Sequence, residues 1–140
     1  MTVRTMHPTE ADAVKGMMRA LWPDAGTYAF DDEIVFVWER PTGGLGGFAS
    51  VSIRPWADGC ESEPVPYIEG GWVAPDLRLG GVGRALFSAV ERWAQEQGFT
   101  EIGSDSLLEN EGSIAAHLAL GFLPTERVHM FHKRLRVRDG

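Results

Sequence analysis

The stretch best equipped for chemistry lies halfway along the chain, Glu69-Gly70-Gly71-Trp72-Val73-Ala74-Pro75-Asp76-Leu77-Arg78-Leu79-Gly80-Gly81-Val82-Gly83-Arg84. It reads as a strand, a turn at Pro75-Asp76, a glycine loop and the start of a helix at Val82. A helix that begins inside such a loop leaves its first N–H groups unpaired and the positive end of its dipole facing outward. Gly80, Gly81 and Gly83 let that backbone approach a ligand with no Cβ in the way. An anion, above all a phosphate, is the natural occupant; the plainer alternative is a turn that only joins a strand to a packed helix. Two common nucleotide patterns do not fit. A Walker loop ends in Gly-Lys-Ser/Thr, whereas Gly83 is followed by Arg84-Ala85, and Gly81-Val82-Gly83-Arg84-Ala85-Leu86 breaks the dinucleotide fingerprint at its last glycine. What remains is Arg78-x-x-Gly81-x-Gly83.

Other residues offer less. Trp22 precedes Pro23, which ends a helix and pushes its neighbour toward an extended conformation. It reads either as a core anchor or as a corner platform for a sugar ring or a cation. The loop from Pro55 to Pro66 carries Trp56 with Asp58, Glu61 and Glu63, either a negatively charged rim or a solvated turn. His129 and His132 stand three apart in a strand pattern and face opposite ways, which argues against a shared metal. Cys60 has no histidine or cysteine at ligand spacing and no identifiable base. Ser50 and Ser52 lack a nucleophile elbow.

The elements that must position these residues follow from periodicity. Thr2 to Met6 alternates as a first strand, and a helix from Pro8 or Thr9 carries Val14, Met17, Met18 and Leu21 at helical spacing. Ala25 to Asp32 has no clear pattern. Strands follow at Glu33 to Glu39 and Phe48 to Arg54, joined by the glycine-rich 41–47 hairpin, and then at Val65 to Val73. A helix from Val82 to Gln97 stops at Gly98. Phe99 to Asp105 reads as a strand, and Asn110 caps a helix from Glu111 to Leu120 closed by Gly121. Glu126 to Leu135 reads as the last strand. The order predicts one α/β domain over residues 1–140, a mixed sheet with helices on both faces.

Composition bounds the function. One domain of 140 residues buries roughly two thirds of its unfolded surface. A net charge of −7 argues against nucleic acid and anionic membrane, and suits a cationic substrate or simple solubility. One cysteine excludes an internal disulfide and fits a reducing compartment. No apolar run reaches the roughly 20 residues of a membrane span, and the first residues lack a signal peptide's apolar core, so a cytoplasmic protein is expected.

Arg78-x-x-Gly81-x-Gly83 between a strand and an amphipathic helix resembles the pyrophosphate-binding motif of the GNAT superfamily of N-acetyltransferases. Asn110-x6-His117-x3-Gly121-Phe122 is similar to that superfamily's second coenzyme-contacting region, with His117 in the place of the usual tyrosine. The resemblance implies the GNAT fold, with a mostly antiparallel central sheet, and acetyl-CoA as co-substrate with no metal. It implies that Gly71, Trp72, Val73, Arg78, Leu79, Gly80, Gly81, Val82, Gly83, Arg84, Asn110 and His117 hold the coenzyme. A backbone N–H near Val73 would polarise the thioester carbonyl. His117 would either protonate the departing thiolate or only pack the coenzyme arm.

A narrower likeness rests on Leu21-Trp22-Pro23-Asp24, Ser52-Ile53-Arg54, the Glu63 to Gly70 run, Ser104-Asp105 and Thr125-Glu126-Arg127-Val128. Together these resemble the single-domain aminoglycoside 6′-N-acetyltransferases. That implies an acceptor cleft lined by Trp22, Trp56, Glu69, Asp105 and Glu126, and a homodimer. Trp56 and Glu109 replace a usual tyrosine and aspartate, Ile114 replaces a histidine, and the segment between Trp22 and Ser52 is shorter than in that family. An alkylammonium must lose a proton before it attacks a thioester. Glu69 is the carboxylate placed to bind it, and an ordinary pKa of about 4.3 makes it an anchor first and a proton relay second. Acetylation of another small amine or of a protein amino group, and coenzyme binding without catalysis, are the competing readings.

Overall fold

The computed structural model describes residues 3–24 and 32–136. The expectation that Ala25 to Asp32 is unpatterned falls mostly outside these residues. The elements, in chain order, are β1 (Val3–Thr5), α1 (Ala11–Leu21), β2 (Glu33–Glu39), β3 (Leu45–Arg54), β4 (Val65–Val73), α2 (Val82–Glu96) and α3 (Glu111–Ala119). The helix expected from Pro8 opens as a 3-10 turn over Pro8–Glu10 before α1 takes over.

The four strands form one antiparallel sheet in the order β1-β2-β3-β4. Side-chain alternation divides it into two faces. Val35, Val37 and Phe48 pack against Val14, Met17 and Met18 of α1. Phe36, Ala49, Val51 and Ile68 pack against Val82, Leu86 and Val90 of α2. Each helix turns a single apolar stripe inward, as expected for a helix lying on a sheet. Leu86 is 1 % exposed, and truncating it to alanine is expected to cost about 2–5 kcal/mol. Ser50, wholly buried between Phe48 and Ser52 on the α1 face, has a hydroxyl with no hydrogen-bond partner among the described residues.

One irregularity of the sheet bears on function. Ser50 aligns with Gly70 and Val51 with Ile68, so Glu69 is the extra residue of a bulge in β4. A bulge re-aims a side chain and sharpens the local twist.

Two expected strands do not form as such. Among the described residues the backbone of the 99–105 segment pairs with β4 only at Gly103, which makes a parallel bridge to Tyr67 with hydrogen bonds of 2.8 Å from the Ile68 N–H and 2.9 Å to the Pro66 carbonyl. Beyond that bridge Ser104 and Asp105 leave the strand's course, so the outer edge of β4 from Glu69 onward has no neighbour among the described residues. The strand expected at Glu126 to Leu135 is also absent, because residues 123–136 are exposed throughout and make no backbone ladder with the rest of the chain. Alternation alone cannot make a strand where no edge is engaged.

Candidate active site

β4 carries a different set of groups at each end. At its C-terminal end Pro75–Leu77 form a 3-10 turn, tied to the β2–β3 hairpin by Arg40, whose guanidinium donates to both Asp76 carboxylate oxygens at 2.8 and 3.0 Å. Arg78 turns back and donates from Nε to the Val73 carbonyl at 2.9 Å, which leaves its terminal nitrogens for other partners. Leu79 has φ +65° and lies wholly exposed. Gly81 caps α2 at φ +90°, a left-handed conformation that a side chain would strain. The first helical bond runs from the Ala85 N–H to the Gly81 carbonyl at 3.0 Å. The amides of Val82, Gly83 and Arg84 therefore have no helical acceptor and point out of the helix end. This is a backbone cradle with positive polarity, of the kind that receives anions.

α3 carries the other residues expected to reach the coenzyme. Asn110 caps it, its Oδ1 accepting from the Ser113 N–H at 3.1 Å. His117 Nδ1 is 2.7 Å from the Ser113 carbonyl, so that nitrogen carries a proton and donates it. In the neutral ring Nε2 then accepts from the Ser104 hydroxyl at 2.8 Å. Phe122 meets the ring edge-on at 5.2 Å between centroids. His117 is a held side chain, and it has a proton on Nε2 only as imidazolium.

At the bulge the groups are side chains. Arg54 donates to Glu69 through Nε at 2.9 Å and through Nη2 at 2.6 Å, and the Ser52 hydroxyl donates to Glu69 Oε2 as well. The Arg54 guanidinium also lies 3.7 Å above the centre of the Tyr67 ring. The Tyr67 hydroxyl donates to Asp105 at 2.7 Å. Burial pushes the Glu69 carboxyl upward, but the hydrogen bonds from Arg54 and Ser52, with the Arg54 charge, outweigh it and hold the group below the usual carboxylate range. Burial, then the hydrogen bond to Asp105, raises the Tyr67 phenol far above its ordinary value, so it stays a donor. Trp22, at the end of α1, lies against Gly70 so closely that any Cβ there would strike its ring. Here the glycine is required by close approach.

Glu69, Asp105 and Trp22 thus come together at one end of the α1 face. Trp56 stands on the loop after β3, 62 % exposed. Glu126 lies on the exposed 123–136 segment and has no hydrogen bond or ion pair among the described residues. Sequence reasoning missed the roles of Ser52, Arg54 and Tyr67. Their signal was present in the alternation Ser52-x-Arg54 and Tyr67-x-Glu69, which sets polar groups on one face of adjacent strands. The described residues hold no cluster of three or more metal-ligating side chains, and no helix is long and apolar enough to cross a membrane.

The family model described as acetyltransferase (GNAT) family matches residues 8–122. An aminoglycoside N(6′)-acetyltransferase type 1 from Klebsiella aerogenes is 38 % identical, with 95 % of this chain and 96 % of that protein covered. Another of the same name from Salmonella typhimurium is 39 % identical, over 96 % of this chain and 99 % of that one. The structure of AAC(6′)-Iy in complex with the bisubstrate analogue CoA-S-monomethyl-acetylneamine superposes with a TM-score of 0.85 at 36 % identity, covering 95 % of this chain and 97 % of that one. By motif, fold and family match, this chain belongs to the GNAT acetyltransferase family.

Proposed function

We propose that the protein transfers the acetyl group of acetyl-CoA to the 6′-amino group of an aminoglycoside, by direct attack of the amine on the thioester in a ternary complex. The observation that carries this reading is the arrangement along β4. A glutamate held ionised at the bulge lies beside an aromatic corner, and an anion-binding backbone loop stands at the other end of the same strand. Relatives and a superposable structure named for this activity support it. Gly71 to Val73, Arg78 to Arg84, Asn110 and His117 hold the coenzyme, and an amide on the open edge of β4 near Val73 polarises the carbonyl. Trp22, Trp56, Glu69, Asp105 and Glu126 receive the cationic aminosugar. Glu69 anchors the ammonium and, with its carboxyl held low, is a poor proton acceptor. His117 packs the coenzyme arm.

The test is a thiol-release assay with a panel of aminoglycosides. Turnover with 6′-amino compounds is expected, and turnover confined to other small amines or to protein amino groups would overturn the reading. The shortened segment before β2 is the feature that favours such other acceptors. The acidic charge of the chain supports a cationic small molecule rather than nucleic acid or membrane as partner, and its lone, unpaired Cys60 accords with the cytoplasm.

We also propose a homodimer. Leu123, Met130, Phe131 and Leu135 are between 81 % and 93 % exposed on a segment with a strand's alternation and no sheet partner among the described residues. A second copy that engages this segment would cover the apolar residues and place Glu126 at a defined position. Light scattering after gel filtration should return twice the chain mass, and Phe131→Asp should return the monomer. A wild-type monomer at micromolar concentration would refute it.

A further inference from the structure

Glu69 is not the only carboxylate on its face of the sheet. Glu33, the first residue of β2, aligns with Ser52 of β3, which in turn aligns with Tyr67 of β4. Residues paired across antiparallel strands share a face, and Ser52 donates its hydroxyl to Glu69. Glu33 and Glu69 therefore flank the same serine, one from each side. Their surroundings differ. Glu69 accepts hydrogen bonds from Arg54 and Ser52, whereas Glu33 is half-buried and makes no hydrogen bond or ion pair among the described residues.

The charge that acts on Glu33 is that of Glu69; Tyr67 lies in the same rung across Ser52, and Arg54 and Asp105 are bonded to Glu69 and Tyr67 beyond it. α1 turns Val14, Met17 and Met18 onto this face, none of them titratable. Past the end of β1, the His7 N–H is bonded to Glu10, and Glu10 to Arg4, within the turn that starts α1. Arg54 is committed to Glu69.

We propose that Glu33 is the proton acceptor for the incoming ammonium, while Glu69 anchors it. Burial first, and then the charge of Glu69, push the Glu33 carboxyl above its ordinary value, in the direction a base working near neutrality needs. Two carboxylates driven apart in this way divide into a fixed anion and a proton acceptor. This role rests on the amine-acetylating reading above. The ammonium gives one proton to a Glu33 oxygen, which breaks an N–H bond and frees the nitrogen lone pair. That pair forms the bond to the acetyl carbonyl carbon as the C–S bond breaks. Sulfur keeps the electron pair and receives the nitrogen's second proton, leaving amide and thiol, and Glu33 returns its proton to water.

The experiment compares wild type with Glu33→Gln on two acceptors, an aminoglycoside and an alkoxyamine whose nitrogen is already unprotonated at assay pH. For the aminoglycoside, kcat/KM of the variant should fall at least tenfold near neutral pH and lose the acid limb of its pH profile. The alkoxyamine rate and the KM for acetyl-CoA should stay within twofold of wild type. Equal activity of the variant with the aminoglycoside, or an equal loss with both acceptors, would overturn the proposal. Should Glu33→Gln prove unstable to heat, Glu33→Asp keeps the charge; a loss with the aminoglycoside alone supports the role, and no loss or an equal loss with both overturns it. Wild type that acetylates no aminoglycoside would refute the proposed substrate instead, and the Glu33 comparison would then be run on whichever alkylamine is acetylated.

Discussion

At its C-terminal end β4 runs into a loop that presents backbone amides, whereas at the Glu69 bulge the same strand presents a network of side chains. The loop needs little from distant parts of the chain. Its amides are freed by the start of α2, its shape comes from Gly81 in a left-handed conformation, and its outside tethers are the Arg40–Asp76 pair and the Ala74 N–H bonded to the Gly46 carbonyl. The bulge face is assembled from three strands, the end of α1 and the 99–105 segment, and each group is set by another: Glu69 by Arg54 and Ser52, Tyr67 by Asp105. A backbone site tolerates most side-chain changes and fails when a Cβ or a charge enters the cradle. A side-chain network fails by degrees, because removing one member changes the charge state of the next.

The sharpest separation of the two regions comes from Gly83→Asp. Gly83 has an ordinary φ and its Cβ position is open, with Val73 the nearest group at 3.8 Å, so the substitution introduces an anion without backbone strain. Coenzyme affinity measured by calorimetry should fall by at least a hundredfold. Gly81→Asp is a poorer probe because the positive φ there strains any side chain, by about 1–2 kcal/mol. Next, Glu69→Gln should lower kcat/KM for the amine by about 10–100-fold, the loss of one charged hydrogen bond of about 1.5–3 kcal/mol, with coenzyme affinity retained. If both variants lost coenzyme affinity equally, the division of β4 into two regions would be wrong.

Arg54→Gln tests the coupling within the network. Arg54 depresses the Glu69 carboxyl, so its removal lets that carboxyl rise, and binding of the ammonium should weaken at a higher pH than in wild type. The sign for stability follows. A depressed carboxylate stabilises the fold above its unfolded pKa, near 4.3, and loses that contribution as pH falls through the lower folded value. The melting temperatures of wild type and Arg54→Gln should therefore converge as the solution is acidified below about pH 4. The smallest effect is expected at Ser50, whose buried hydroxyl is unpaired. Ser50→Ala should leave stability unchanged or raise it by about 1 kcal/mol, as read from thermal unfolding.

The two regions also differ in how far the sequence disclosed them. The loop was legible because its determinants are consecutive: three glycines, a proline turn and the onset of a helical pattern within about ten residues. β2, β4 and the ends of α2 and α3 were legible for the same reason, with Gly98 and Gly121 at the expected left-handed stops. The Glu69–Arg54 pair spans 15 residues and depends on register and on a bulge, neither of which alternation encodes. Glu33 gave no signal at all, since a glutamate at the start of a strand is ordinary until its neighbours are known. The two missing strands, at 99–105 and 126–135, show the converse. Their patterns are sound, but a strand needs an edge to bind, and periodicity says nothing about which edge is free.

The measurement that bears most directly on the whole account is the position of the acetyl group on the product. Incubated with acetyl-CoA and an aminoglycoside carrying a 6′-amine, the enzyme should yield a singly acetylated product with the new amide at the 6′ nitrogen, assigned by NMR. The 6′-hydroxyl counterpart should remain unmodified. Acetylation of both compounds at some other nitrogen, or of neither, would contradict it.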